Sequence, residues 1–296
     1  MTARDLVKSG KILLATDMTA RCDRALDRAT QLADELDAEL VIAHVMDSVS
    51  TAQFDFDRTR RSWRKIPDPT ERMLWRLRRD LAGKYGNIRA IVVEGNPAEK
   101  LARIAEHEQC DLIVTGTASS ESLGRMLLGS TVNRVLREVT IPILVVHDRP
   151  AGPYRNIAVA TDFSEASVQA LLTAAALFPR SDLTLFHAYD IPYAGFIVER
   201  DINHALRETH KEASLHLHAD ERIAPTLKEK IRIDIEQGTA EELLGDFIEK
   251  RSIDLTVIGS EGHGAVFDAL VGSTAKRLVE SLESDLMIIR HPKGED

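Results

Sequence analysis

Two stretches of the chain combine glycines, hydroxyls and an acid in a spacing that can hold a phosphate. The later one reads Gly259-Ser260-Glu261-Gly262, then nine residues, then Gly272-Ser273-Thr274. The earlier one has Gly116 and, further on, Gly129-Ser130-Thr131. Glycine at 259 lets the backbone leave a strand with a planar ligand pressed against it. Glycine at 262 permits a positive-φ turn that aims successive N–H groups inward. Gly-Ser at the start of a helix supplies free amides and a hydroxyl where the helix dipole favours phosphate. Asp17 and Asp162 each follow a threonine at the end of an apolar run, where a carboxylate can accept ribose hydroxyl hydrogens. These residue types also serve as plain turn and cap residues. What distinguishes them here is the recurrence of loop, Gly-Ser and Asp together. The loop is not a Walker motif, because no Lys follows the last glycine. It is not a dinucleotide fingerprint either, because it follows a fourth strand rather than a first.

The elements that must carry these residues are duplicated. Cys110–Thr117 matches Ile253–Ser260 at an offset of 143 residues, pairing Asp111 with Asp254 and Gly116 with Gly259. Gly129, Ser130 and Thr131 match Gly272, Ser273 and Thr274 at that offset, and His44 matches His187. The opening runs, residues 12–20 and 157–165, match at 145, so a short indel lies between the copies. Within the first copy the spacing predicts strands over 11–16, 39–46, 88–93, 111–115 and 142–146. Helices are predicted over 20–36, 70–84, 97–108 and 130–138, with Pro97 suited to a first helical turn. The second copy repeats this from Asn156 to Arg290. Five short apolar strands alternating with helices imply a doubly wound α/β unit, a parallel sheet with helices on both faces. The Pro- and Gly-bearing stretch 148–153 separates domain 1 (1–149) from domain 2 (154–296).

Composition sets the outer limits. A chain of 296 residues with 44% hydrophobic and 29% charged side chains suits two soluble domains, each with its own core. The longest apolar runs fall far short of the roughly 20 residues that span a bilayer, and no signal peptide is expected. Two cysteines, Cys22 and Cys110, show no paired spacing, which fits packing roles and a cytoplasmic location. The net charge of −9 is uneven: residues 1–150 hold 23 basic and 22 acidic side chains, and residues 151–296 hold 15 and 25. Phosphate binding in the acidic half must therefore come from local backbone geometry rather than long-range attraction.

Taken together, Thr-Asp-x-(Ser/Thr) after the first strand, the histidine near the end of the second, the G-x2-G-x9-G-(S/T) loop and the apolar last strand resemble the universal stress protein family. The resemblance covers nearly the whole chain, as a tandem-domain member. It implies sheets of order 3-2-1-4-5 and pairing of the two domains through their last strands as an intramolecular pseudo-dimer, with a further homodimer left open. It also implies that members with intact glycines bind ATP or AMP, with Mg2+ accompanying the triphosphate. Carried onto this chain, Asp162, Ala188, Gly259, Gly262, Gly272, Ser273 and Thr274 line the second site. Asp17, Val45, Gly116, Gly129, Ser130 and Thr131 line the first. The copies depart from the pattern differently: Ser119 stands at the second glycine of the first loop, and Asp268 replaces Arg125 in the second, which also carries Glu261. The second site is expected to be the better one.

Other features point elsewhere. Residues 58–79 hold nine basic side chains against Asp68 and Glu71, with Trp63 and Trp75 interleaved. This reads as a connection into an amphipathic helix with Trp75 packed, rather than a nucleic-acid contact. His204, His210, His216 and His218 fall in a helix predicted over 197–224, with no i,i+4 pair to suggest a metal site. His44 and His187 read as satisfied core histidines. No nucleophile–base–orienter set is evident, so the chain is expected to be at most a slow ATPase that senses or signals, acting with an unidentified protein partner. The rival reading is an interaction module whose glycine loops are relics.

Overall fold

A computed structural model of the chain describes residues 10–19, 22–46, 69–80, 87–117, 130–189, 199–261, 282 and 284–291. The chain falls into two compact units. The first contains β1 (Lys11–Ala15), α1 (Asp23–Leu36), β2 (Glu39–Met46), α2 (Pro69–Asp80), β3 (Ile88–Glu94), α3 (Pro97–His107), β4 (Leu112–Gly116), α4 (Ser130–Glu138) and β5 (Ile143–Val146). The second contains β6 (Asn156–Ala160), α5 (Glu165–Leu177), β7 (Asp182–Tyr189), α6 (Glu199–Ala219), α7 (Pro225–Lys228), β8 (Arg232–Gln237), α8 (Ala240–Arg251), β9 (Leu255–Glu261) and β10 (Asp285–His291).

In the first unit the strands run β3-β2-β1-β4-β5, all parallel. In the second they run β8-β7-β6-β9-β10, again parallel. Both orders are the 3-2-1-4-5 arrangement that the family resemblance implies. Consecutive residues of a strand face opposite sides, yet Ile12, Leu13 and Leu14 are all 0–1% exposed. The sheet is therefore covered on both faces. Each such side chain contributes about 1.5–3 kcal/mol on burial. α1 packs on β1, β2, β4 and β5, whereas α3 packs on β2 and on α4. Right-handed crossovers place α3 and α4 opposite α1, because chain direction across the sheet reverses after β3.

The duplication extends to the backbone. Gln109 and Ser252, 143 residues apart, both turn left-handed (φ 57 and 50) where a helix ends, and Gly95 and Gly238 share φ near 134 and 142. The repeated aspartates before the fourth strands tether the first strands. Asp254 Oδ2 accepts from the amides of Arg155 and Asn156 at 2.8 Å, and Asp111 Oδ2 accepts from Lys11 N at 3.3 Å. Asn96 caps α3 by accepting from the amides of Ala98 and Glu99. The second unit is pinned at its start by Tyr154, whose hydroxyl donates to the fully buried Asp285 at 2.5 Å and whose ring meets Phe178 edge-on at 5.4 Å.

Two expectations need correcting. Trp75 is not packed: it is 60% exposed, with the Arg79 guanidinium 5.1 Å over its ring, and Met73 takes the buried position on α2. The helix expected over 197–224 ends at Ala219, and Pro225 holds Ala224 extended (ψ 141) where α7 starts.

Candidate functional site

Both sheets reverse their winding between the first and fourth strands of the unit, and it is at such switch points that open parallel sheets bind ligands. In the first unit Ala15 on β1 pairs with Ala43 on β2 and Thr115 on β4. Asp17, Val45 and Gly116 therefore lie at the carboxyl edge of three adjacent strands. In the second unit Ala160 on β6 pairs with Phe186 on β7 and Ile258 on β9, which brings Asp162, Ala188 and Gly259 to the corresponding edge. Ser130 and Thr131 open α4. Gly129, Gly262, Gly272, Ser273 and Thr274 lie outside the described residues, as do Ser119, Arg125 and Asp268.

The Thr-Asp-x-(Ser/Thr) segment folds identically in both copies. Thr16 Oγ1 accepts from Met18 N at 3.0 Å and Thr161 Oγ1 from Phe163 N at 2.9 Å. One residue later, Asp17 Oδ1 accepts from Thr19 N at 2.8 Å and Asp162 Oδ1 from Ser164 N at 3.0 Å. These successive side-chain-to-backbone bonds close a tight turn and hold the intervening residue left-handed, with φ 62 at Met18 and 63 at Phe163. A non-glycine residue in that region costs roughly 1–2 kcal/mol, the kind of strain that collects at functional loops.

The electrostatics of the two acids agree. Burial works to raise the Asp17 carboxyl, but hydrogen bonds from Thr19 and Cys22 outweigh it and hold the group below its ordinary 3.8. Burial likewise opposes ionisation of Asp162, and the bonds from Ser164 and Ser167 override it. Each loop therefore presents a carboxylate that is charged at neutral pH, suited to accepting hydroxyl hydrogens.

Three further parts of the site escaped sequence reasoning. Cys22 Sγ donates to Asp17 Oδ1 at 3.1 Å, and burial pushes its thiol up to about 11, so it remains a donor rather than plain packing. The two matched histidines lie beside the loops, half-buried, each donating Nδ1–H to the carbonyl of the strand-end threonine: His44 to Thr16 at 2.9 Å and His187 to Thr161 at 2.7 Å. A carbonyl can only accept, so this bond fixes the tautomer of the uncharged ring and leaves Nε2 as its acceptor. In the second unit the Phe163 ring lies 4.7 Å from His187 and 6.1 Å from His216 on α6. The recurrence of Thr, Asp and His at matched positions was the available signal for the turn. Nothing in the sequence marked the Cys22 contact.

Gly259 has a reason of its own. An added Cβ would meet the Ala166 carbonyl oxygen at 2.2 Å, so β9 and the first turn of α5 touch backbone to backbone. Next to it, the Ser260 hydroxyl is buried and has no hydrogen-bond partner among the described residues. Among those residues, no group of three or more His, Cys, Asp or Glu is placed to hold a metal ion, and no helix is long and apolar enough to cross a membrane.

The model of the universal stress protein family matches residues 8–147 and again 153–290. The chain belongs to that family, as a tandem-domain member. It is 26% identical to a universal stress protein of Mycolicibacterium smegmatis, over 94% of this chain and 96% of that one. It is 32% identical to universal stress protein MJ0531 of Methanocaldococcus jannaschii, over 46% of this chain and 81% of the relative. Among solved structures, a universal stress protein from Archaeoglobus fulgidus matches with a TM-score of 0.68, 17% identity and coverage of 96% of this chain and 99% of that one, a likeness of fold.

Proposed function

We propose that the chain is a cytoplasmic stress-response protein that binds an adenine nucleotide, ATP or AMP, at the carboxyl edge of each sheet, and more tightly in the second unit. The observation that carries this reading is the shared turn that fixes an ionised Asp17 or Asp162 at the switch point, beside Gly116 of β4 or Gly259 of β9. The described residues fit such a ligand. The aspartates suit ribose hydroxyls, Val45 and Ala188 offer backbone at the neighbouring strand end, and Ser260 supplies a buried hydroxyl in want of a partner. Gly116, Gly129, Ser130 and Thr131 in the first unit, with Gly262, Gly272, Ser273 and Thr274 in the second, supply the phosphate end through amides and hydroxyls. Mg2+ bound with ATP is held mostly by the phosphates, Ser273 and water. With no lysine in the loop and no general base assigned, hydrolysis is slower than the about 10 per second of ordinary enzymes.

The second unit ranks first because Ser119 stands in sequence at the second glycine of the first loop, and a non-glycine residue at positive φ costs roughly 1–2 kcal/mol. Against it count two acids, Glu261 at the end of β9 and Asp268 further on, for which a unit charge about 6 Å from a phosphate would interact by under ~1 kcal/mol in water. Equilibrium dialysis of radiolabelled ATP and AMP tests the proposal, with saturable uptake expected and none contradicting it.

A second reading, an interaction module with relic loops, is favoured by Gly259. Its glycine is required by the approach of α5 whether or not a nucleotide binds. Release of adenine absorbance on denaturing the purified protein separates the two.

A further inference from the structure

The second unit contains two cavities along one face of its sheet. The larger, about 860 Å3, opens between the end of α5, the start of β7 and α7, over Leu172, Ala176, Leu183, Leu227 and Ile231. The smaller, about 200 Å3, lies between α5 and α6, against Val168, Leu171, Leu185, Ala213 and Leu217. Leu183 and Leu185 are two apart on β7 and so share a face. Arg222 lines both cavities, its guanidinium held by Glu165 at 2.9 Å and Asp220 at 2.6 Å. Close-packed interiors leave few voids larger than a water, whereas about 860 Å3 falls within the 300–1,000 Å3 of small-molecule sites.

Charge identifies the occupant. The side chains of Arg180 and Lys230 line the larger cavity and make no ion pair or hydrogen bond among the described residues, and Asp182 is the one carboxylate in its lining. These cations stand at a partly apolar cleft within the half of the chain that is net acidic, with 15 basic against 25 acidic residues. Arg222 adds little to the cleft because its two carboxylates already neutralise it. A cleft that sets Leu172, Ala176, Leu183, Leu227 and Ile231 beside two uncommitted cations matches a ligand with one negative head and one hydrocarbon tail, and an arginine fork suits a carboxylate.

We propose that this cleft binds a single-chain amphiphilic anion, a long-chain fatty carboxylate, with the chain along the α5–β7 face and the head at Arg180 and Lys230. The larger cleft lies at the start of β7, whereas the nucleotide reading concerns the carboxyl end of the strands, where the smaller cavity reaches Thr161 and Phe163. The test is displacement of a dansyl-labelled undecanoate from the full chain by decanoate, laurate and myristate, below their micellar concentrations. Affinity is expected to rise about three- to fourfold per added CH2, the equivalent of the ~0.8 kcal/mol for burying one methylene. Arg180→Glu with Lys230→Glu should weaken laurate about tenfold or more while leaving dodecanol unaffected, and Ala175→Phe, placed in the cleft, should weaken both. Displacement absent or confined to micellar concentrations, affinity independent of chain length, or a charge-reversed variant that binds laurate like the parent would each overturn the assignment.

Discussion

A Cβ on Gly259 would lie 2.2 Å from the carbonyl oxygen of Ala166 and 2.8 Å from the amide nitrogen of Ser167. Both obstacles are backbone atoms in the first turn of α5, so no rotamer change relieves them. That turn also follows the loop carrying Asp162. Gly259 thus fixes where the helix starts, and through it where the acid-bearing turn sits.

Gly259→Ala is expected to destabilise the second unit by about 3 kcal/mol or more, the upper end for overpacking. Differential scanning calorimetry should show the unfolding transition lowered by on the order of 5–10 °C. An unchanged transition would mean that α5 is free to slide.

Tyr154→Phe removes the hydroxyl that donates to the buried Asp285 at 2.5 Å. Leaving a buried acceptor unsatisfied costs about 1–3 kcal/mol, and urea denaturation should report a loss of that size. A loss below about 0.5 kcal/mol would show that the bond is of no consequence.

Asp37 and Ser252 are exposed helix-ending residues at φ 51 and 50. Glycine adopts that conformation without the Cβ conflict, so Asp37→Gly and Ser252→Gly should each raise stability by about 0.5–1 kcal/mol. Lowered melting temperatures would show that the side chains contribute more than their backbone strain costs.

Both Asp17 and Asp162 have carboxyls held below the ordinary 3.8. A depressed folded-state value gives stability that is present above the unfolded value and lost as pH falls through the folded one. Asp17→Asn and Asp162→Asn retain a side-chain acceptor but carry no charge. Their melting temperatures should therefore fall below the parent's at pH 6 and converge with it only as pH falls below the ordinary 3.8 and through the lowered folded values. A gap that persists undiminished at pH 3 would contradict the assigned direction.

Much of this arrangement was legible in the sequence, because the copies check one another. The matched aspartates, histidines and glycines set the register of ten strands, and apolar runs free of polar alternation marked sheets buried on both faces. Trp75 was misread because an amphipathic pattern gives a face but cannot say whether a neighbour covers it; Arg79 stacks on the ring instead. The conformation of Met18 and Phe163 was hidden for another reason. Left-handed backbone is signalled by glycine or asparagine, and here two side-chain hydrogen bonds impose it on residues that do not favour it. The Cys22 bond to Asp17 brings together residues five apart across a turn, a contact that no periodicity encodes.

The claim that a nucleotide sits at the two switch points is tested most directly by calorimetric titration of ATP and AMP into the parent, Asp17→Ala and Asp162→Ala proteins. Substitution at Asp162 is preferable to substitution at Gly259, where lost binding would be confounded by lost packing. The parent should bind saturably, Asp162→Ala should remove the tighter phase, and Asp17→Ala should remove the weaker one, with all three proteins folded by circular dichroism. Absence of binding in the folded parent, or binding that both variants leave intact, would contradict the account.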